Sequence, residues 1–214
     1  MMDFIHPAQQ LAHQDNSHAL SLTGFFLAIA SALEEGNEPI AHTAAEAMRH
    51  HAPFATVCVP PARNIDARFL PGLLRPGAHP IATHLHDVFD HLNWRQSGSE
   101  NGRIRSDLST QMLTCELIGP TGIVFDPVCR VGLFAQSSNL DYPERSHPAE
   151  ELFVMLSGTA MWRLDSGQEV SKLAGERVHH PSCVRHASRT VSEPLIAIWA
   201  WTGDIDFDKY ELHG

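Results

Sequence analysis

Two stretches in the C-terminal third hold residue types that could share one ion. The first is His147-Pro148-Ala149-Glu150-Glu151, followed six residues later by Gly158. The second runs from Gly175 through Pro181, Ser182 and Cys183 to His186. A histidine and a carboxylate four positions apart, joined by one distant histidine, form a donor set that suits a divalent transition metal. Such a centre would make the chain a small-molecule metalloprotein and, with positions left open on the ion, an enzyme. Geometry sets a condition. In a straight strand, residues i and i+4 stand ~13 Å apart, whereas two ligands of one ion each lie ~2 Å from it. A strand carrying both must therefore bend, and Pro148 marks where. A rival reading is local: Ser146–Leu152 also fits a helix start, with an early Pro, Glu in the first turn, Leu152, Met155 and Leu156 on one face, and Gly158 as its stop. Periodicity alone leaves both readings open.

The elements that must position these residues divide the chain in two. The first half reads helical. Asn16 or Ser17 can cap a helix carrying Leu20, Leu22, Phe25, Phe26, Ile29 and Leu33, with Gly36 behind it. Pro39 opens a second helix through Ile40, Ala44, Ala45 and Met48, ending in the favourably placed Arg49-His50-His51, and the two are expected to pack antiparallel. Residues 53–80 are too rich in proline for long regular elements. A third helix is expected from Thr83 to Trp94, with Leu85, Val88, Phe89 and Leu92 on one face. From about Asp107 the texture turns to short strands punctuated by Gly and Pro: Met112–Ile118, Val131–Ala135, Thr159–Leu164 and Leu195–Trp201. The expectation is a mainly β protein with some α, a helical subdomain over 1–106 preceding a β-barrel over 107–214.

Bulk composition removes several function classes. Hydrophobic residues make up 43% and charged residues 19% of 214, enough for one good core. With 15 Lys plus Arg, scattered, and a net charge of −10, the chain lacks the clustered cations of a nucleic-acid binder. The four cysteines Cys58, Cys115, Cys129 and Cys183 form no CxxC pair, so neither a zinc ribbon nor a disulfide framework is indicated. Met1–Gln10 lacks the layout of a signal peptide, and no apolar run is long enough to span a bilayer. These readings point to the cytoplasm and to no membrane partner. Histidine is abundant at 15 residues, so spacing rather than count must identify ligands. His84, Asp87 and His91 share one face of the expected third helix; that spacing can bind metal, though the wet side of an amphipathic helix explains it equally.

The motifs carry a resemblance. His147-x3-Glu151-x6-Gly158 resembles the second half of the first cupin motif, and Gly175-x5-Pro181-x-Cys183-x2-His186 resembles the second. Within the cupins, Tyr142-Pro143-x3-His147-Pro148-Ala149-Glu150-Glu151-Leu152-Phe153, Leu156-Ser157-Gly158 and Pro181…His186-Ala187 are similar to the cupin-type dimethylsulfoniopropionate lyases, as is the order of a helical region, a Trp94-Arg95-Gln96 segment and a barrel. The resemblance implies a double-stranded β-helix barrel and His147, Glu151 and His186 as ligands of Zn, Fe(II), Mn or Ni. It also implies Tyr142 as the base of a β-elimination on a small carboxylate substrate, and a homodimer as the assembly to test. The cationic sulfonium of such a substrate would favour aromatic faces, for which Trp201, Trp162 and Phe153 are at hand, while Arg145 could pair with its carboxylate. Trp199 and Trp201, two apart, share a strand face. The pattern is broken at Arg145, where many cupins have a first histidine, and at Phe153, where the lyases carry a tyrosine. Asn139, Cys183 and Thr190 replace the motif's two glycines and its asparagine. Other cupin activities, a dioxygenase or an isomerase, and a non-catalytic ligand-binding or sensor cupin are the competing readings.

Overall fold

The structure is a computed structural model that describes residues 22–56, 67–98 and 102–213. The proposed cap at Asn16 or Ser17, with Leu20, lies outside the described residues. Helix α1 covers residues 22–34 and buries Leu22, Phe25, Phe26, Ile29 and Leu33. Helix α2 (Pro39–His51) buries Ile40, Ala41, Ala44, Ala45 and Met48 and keeps Arg49, His50 and His51 in its last turn. The Thr23 hydroxyl donates to the Ala52 carbonyl at 3.1 Å, tying the start of α1 to the end of α2. Within the proline-rich stretch the described residues form only short helices, among them α3 (Leu70–Leu73).

Helix α4 (Ile81–Val88) is shorter than the Thr83–Trp94 expectation at its C-terminal end. It tightens into a 3-10 turn over Phe89–His91, and Leu92 is already extended at φ −93°, ψ 144°. The apolar face nevertheless holds, with Leu85, Val88, Phe89 and Leu92 all buried. Trp94 ends the element by tertiary contact. Its indole N–H donates to the Phe89 carbonyl at 3.1 Å, and its ring lies 4.8 Å from that of Phe89.

Twelve strands follow among the described residues, and they form two sheets. The larger contains β1 (Arg95–Gln96), β2 (Met112–Gly119), β3 (Val124–Phe125), β4 (Arg130–Gln136), β6 (Ala149–Ser157), β9 (Arg177–His180) and β11 (Leu195–Gly203), in the order β1-β2-β4-β11-β6-β9 with β3 beside β2. The smaller runs β12-β5-β10-β7-β8, from β5 (Asp141–Ser146), β7 (Ala160–Leu164), β8 (Val170–Lys172), β10 (His186–Thr190) and β12 (Glu211–Leu212). A one-turn helix α5 (Ser106–Ser109) leads into β2. The two sheets face each other across a shared aromatic core that includes Phe134 and Phe153 from one and Tyr142 and Trp162 from the other. This is the double-stranded β-helix of the cupins.

The larger sheet is buried on both faces. Along β6, Leu152, Val154 and Leu156 join the core shared with the helices, while Phe153 and Met155 join the core inside the barrel. Along β11, Ile196, Ile198 and Ala200 face the helices, and Leu195, Ala197 and Trp201 face inward. Alternating side chains of a strand point to opposite faces, so both strands read as unbroken apolar runs. That is why the segment from Glu151 to Leu156 could be read as a helix: with both faces apolar, no period-2 signal survives. The helix reading of Ser146–Leu152 is overturned, because β5 ends at Ser146 and β6 starts at Ala149 with His147-Pro148 as the bend between them.

One ion cluster joins the layers. The Arg177 guanidinium on β9 donates to the carbonyls of Ala32 (3.0 Å) and Leu33 (3.1 Å) at the end of α1 and pairs with Glu38 (3.2 Å). It supplies the cation and donors that a helix C-terminus needs.

Candidate metal centre and substrate cavity

The bend at His147-Pro148 brings the first two candidate ligands together. His147 ends up with its Nε2 3.3 Å from Glu151 Oε2. His186, the first residue of β10, places its Nε2 3.4 Å from the same oxygen. All three side chains are buried, and among the described residues they form the one group of three or more His, Cys, Asp or Glu side chains able to hold a metal, with donor atoms within 4.8 Å of one another. His84, Asp87 and His91 form no such group, and His84 and Asp87 are exposed.

Backbone carbonyls fix the histidine tautomers. His147 Nδ1 lies 3.0 Å from the Ala149 carbonyl, and His186 Nδ1 lies 3.0 Å from the Val184 carbonyl. A carbonyl can only accept, so each Nδ1 carries a proton, and in the neutral ring each Nε2 presents a lone pair. Both lone pairs aim at an anionic oxygen, and His186 Nε2 is buried with no hydrogen-bond partner. Three electron-rich atoms facing one another are unfavourable unless something positive sits between them. A proton can bridge one pair; a cation engages all three. The donor set therefore fits a divalent metal by its own chemistry.

A second layer holds Glu151 in place. Its Oε1 accepts the Trp201 indole N–H at 2.7 Å, and its Oε2 lies 2.5 Å from His180 Nδ1. The His180 tautomer is also determined. The Trp162 indole, which can only donate, gives its N–H to His180 Nε2 at 2.8 Å, so Nδ1 bears the proton and donates to the carboxylate. Both nitrogens of His180 are thus engaged, and the ring stacks on His186 with centroids 4.0 Å apart. Burial would push the Glu151 carboxyl up, but His147 and His180 hold it well below the usual carboxylate range. Burial, reinforced by the Arg145 charge, holds His186 well below the ordinary imidazole value, which favours the neutral ring a metal requires.

Two of the three candidate ligands, His147 and Glu151, line a cavity of about 220 Å³. Its walls include Phe134, Phe153, Trp199, Trp201 and Phe207, with the hydroxyl-bearing Tyr142 and Tyr210 and the cation Arg145. Arg95 to Gly98 also contribute, so the segment before the main strands supplies part of the wall. Near it, Glu116 receives Arg130 (2.9 Å), Arg95 (3.3 Å) and the Thr121 hydroxyl (2.8 Å). Of the aromatic residues expected to meet a substrate, Phe153 and Trp201 line the cavity, whereas Trp162 does not. Trp162 lies 5.0 Å behind the Phe153 ring and is committed to His180.

Tyr210, in the C-terminal tail, is a site residue that no local sequence pattern marks. The tail folds back: β12 pairs with β5, Glu211 opposite Ser146 and Leu212 opposite Arg145. Tyr210 is thereby buried in the cavity wall, with its hydroxyl 2.5 Å from that of Tyr142. Burial raises both phenols above their ordinary values, Tyr210 strongly; the Arg145 guanidinium, 3.9 Å over the Tyr142 ring, opposes the rise. The cysteines among the described residues take no part: Cys115 and Cys129 are pushed up to about 12 by burial, and Cys183 is exposed.

The departures from the motif glycines have a backbone explanation. Asn139 (φ 53°) and Cys183 (φ 64°) both keep the left-handed conformation that glycine favours. The retained Gly158 (φ 79°) has no such latitude, because a Cβ there would collide with the Pro194 carbonyl.

Comparison with known proteins agrees with this architecture. A family model for dimethylsulfoniopropionate lyase matches residues 40–197. The dimethylsulfoniopropionate lyase DddQ of Ruegeria pomeroyi (strain DSS-3) is 29% identical over 154 residues, covering 72% of this chain and 75% of its own length. A chain solved in work on the lyases RdDddP and RnDddQII superposes with a TM-score of 0.64 at 24% identity, covering 92% of this chain and all (100%) of that one. The solved DddQ of Ruegeria pomeroyi gives 0.56 at 24% identity, covering 82% of this chain and 97% of its own. At that identity the superpositions speak for the fold. The family model, spanning most of the chain, speaks for descent: this protein belongs to the dimethylsulfoniopropionate lyase family.

Proposed function

We propose that the protein is a metal-dependent carbon–sulfur lyase that cleaves dimethylsulfoniopropionate, or a close small-carboxylate relative, by β-elimination. The base takes a proton from the carbon next to the carboxylate, the electron pair forms the C=C bond of acrylate, and the C–S pair leaves with dimethyl sulfide. The observation that carries the reading is the meeting of His147, Glu151 and His186, the first two of which line an aromatic cavity, in a chain of this family.

His147 and His186 would hold the ion through Nε2, and Glu151 through Oε2. Donor separations of 3.3 and 3.4 Å would let one divalent ion, Zn, Fe(II), Mn or Ni, be shared by the three side chains. When bound, the metal supplies Lewis-acid stabilisation of the charge that builds on the substrate carboxylate. Tyr142 is the base. Its hydroxyl borders the cavity, Arg145 favours its ionised form, and Tyr210 is placed to donate a hydrogen bond to the phenolate. Phe153 and Trp201 offer aromatic faces to the sulfonium. With the chain divided at residue 106, the described helices of the first part cover the barrel and Arg95 to Gly98 lend the cavity a wall, and 107–214 carry the donors.

Headspace detection of dimethyl sulfide from metal-loaded protein tests the proposal. The wild type should release sulfide and Tyr142→Phe should lose ~10²–10⁴-fold in rate, the range of a positioned general base. A metal-loaded wild type that releases none would remove the lyase reading. A ligand-binding cupin without turnover would then stand, a reading favoured by Phe153, which puts a ring with no ionisable group where the lyases carry tyrosine.

A further inference from the structure

Among the described residues Arg145 is the only fully buried arginine, at 2% exposure. A guanidinium has five N–H donors and cannot shed its proton. Its partners here are the Pro143 carbonyl at 3.5 Å, the Ser188 hydroxyl at 3.4 Å and the face of the Tyr142 ring. Both hydrogen bonds are long, and none of these partners carries a negative charge. Several arginines elsewhere end on carboxylates, among them Arg130 on Glu116 at 2.9 Å, Arg177 on Glu38 at 3.2 Å and Arg189 on Glu169 at 2.7 Å. Glu116, the other buried carboxylate of the cavity, is already taken by Arg95, Arg130 and Thr121. Glu151 shares the cavity but is engaged by His180 and Trp201; a buried cation with no carboxylate in hydrogen-bond contact is costly, and a bidentate carboxylate is the partner that best matches its fork.

We propose that Arg145 is the anchor of a carboxylate subsite in the cavity, gripping a small organic acid independently of the ion held by His147, Glu151 and His186. The inference deepens the proposed function and rests on its premise that this cavity is the substrate site. The class of ligand follows from the walls. Phe134, Phe153 and Trp201 leave an apolar space beside the cation, so the acid is short and has a compact, weakly polar remainder. The guanidinium lies 3.9 Å over the Tyr142 ring, so a carboxylate seated on Arg145 brings its α-carbon toward the Tyr142 side of the cavity.

Calorimetric titration with propionate, acrylate and the uncharged propionamide tests the subsite. Wild-type protein should bind both acids and not the amide, and metal-stripped wild type that still shows its unfolding transition should keep propionate binding. Arg145→Gln, with metal content unchanged, should weaken propionate by about tenfold or more, the loss expected for a charge-assisted hydrogen bond, and Arg145→Lys should recover part of it. The proposal is overturned if propionate binding disappears with the metal, if Arg145→Gln binds with unchanged Kd, or if propionamide binds as well as propionate. The metal-stripped wild type decides the matter even if Arg145→Gln does not fold. Wild type that binds propionate but releases no dimethyl sulfide keeps the subsite and discards the lyase reading.

Discussion

The two faces of strand β6 have been given different work. Leu152, Val154 and Leu156 point to the helices and meet only hydrocarbon. Glu151 and Phe153, on the opposite face, meet the histidines and the cavity. Strand β11 repeats the division, with Ile196, Ile198 and Ala200 outward and Trp201 inward on Glu151. Stability and chemistry are thus separated by a single step along the chain. A packed, double-sided sheet gives the inward face a base on which donor atoms can be positioned.

Adjacent substitutions can break that comparison. Glu151→Ala should reduce metal affinity by more than ~100-fold, beyond the loss typical of an outer-layer change, and abolish the stabilisation that added metal gives wild type; elemental analysis and melting with and without chelator read both. Leu152→Ala, one residue away, should leave metal stoichiometry intact in the folded fraction and cost ~2–5 kcal/mol in denaturant unfolding. If Leu152→Ala instead strips the metal at constant stability, the two faces are coupled and the division is wrong. Trp201→Phe keeps the ring and removes the 2.7 Å bond to Glu151. It should weaken metal binding by ~10-fold, read by competition with a chromophoric chelator, with little change in melting. Cys183→Gly relieves a left-handed φ of 64° and should stabilise by about 1 kcal/mol without moving metal affinity.

What could be read in advance follows the range of the interactions. His147, Glu151 and Gly158 lie within one short motif, and His186 follows the positive-φ turn at Cys183, so local spacing exposed them. The inner strands Met112–Gly119 and Leu195–Gly203 were visible as apolar runs. Strands β8, β9 and β10 were not, because VSK, RVHH and HASRT are short and polar. Their strand character comes from pairing with β6 and β7. His180 is legible only through that pairing: it stands opposite Glu151 in the β6–β9 register, and nothing local distinguishes it from His179, which pairs with Glu150 at the surface. Tyr210 is separated from Tyr142 by 68 residues, and its place depends on the return of β12 to β5. The end of α4 was overestimated because Leu92 remains apolar and buried after the helix has stopped.

The double-sided burial of the larger sheet also limits how the chain can be simplified. A protein engineer who pared it to the bare barrel would keep every proposed metal donor, yet would strip the roof from Leu152, Val154, Leu156, Ile196 and Ile198. The remnant would carry a broad oily panel in water, the kind of surface that makes chains stick to one another. Shrinking this scaffold therefore means repainting that panel with polar residues before the helices are removed.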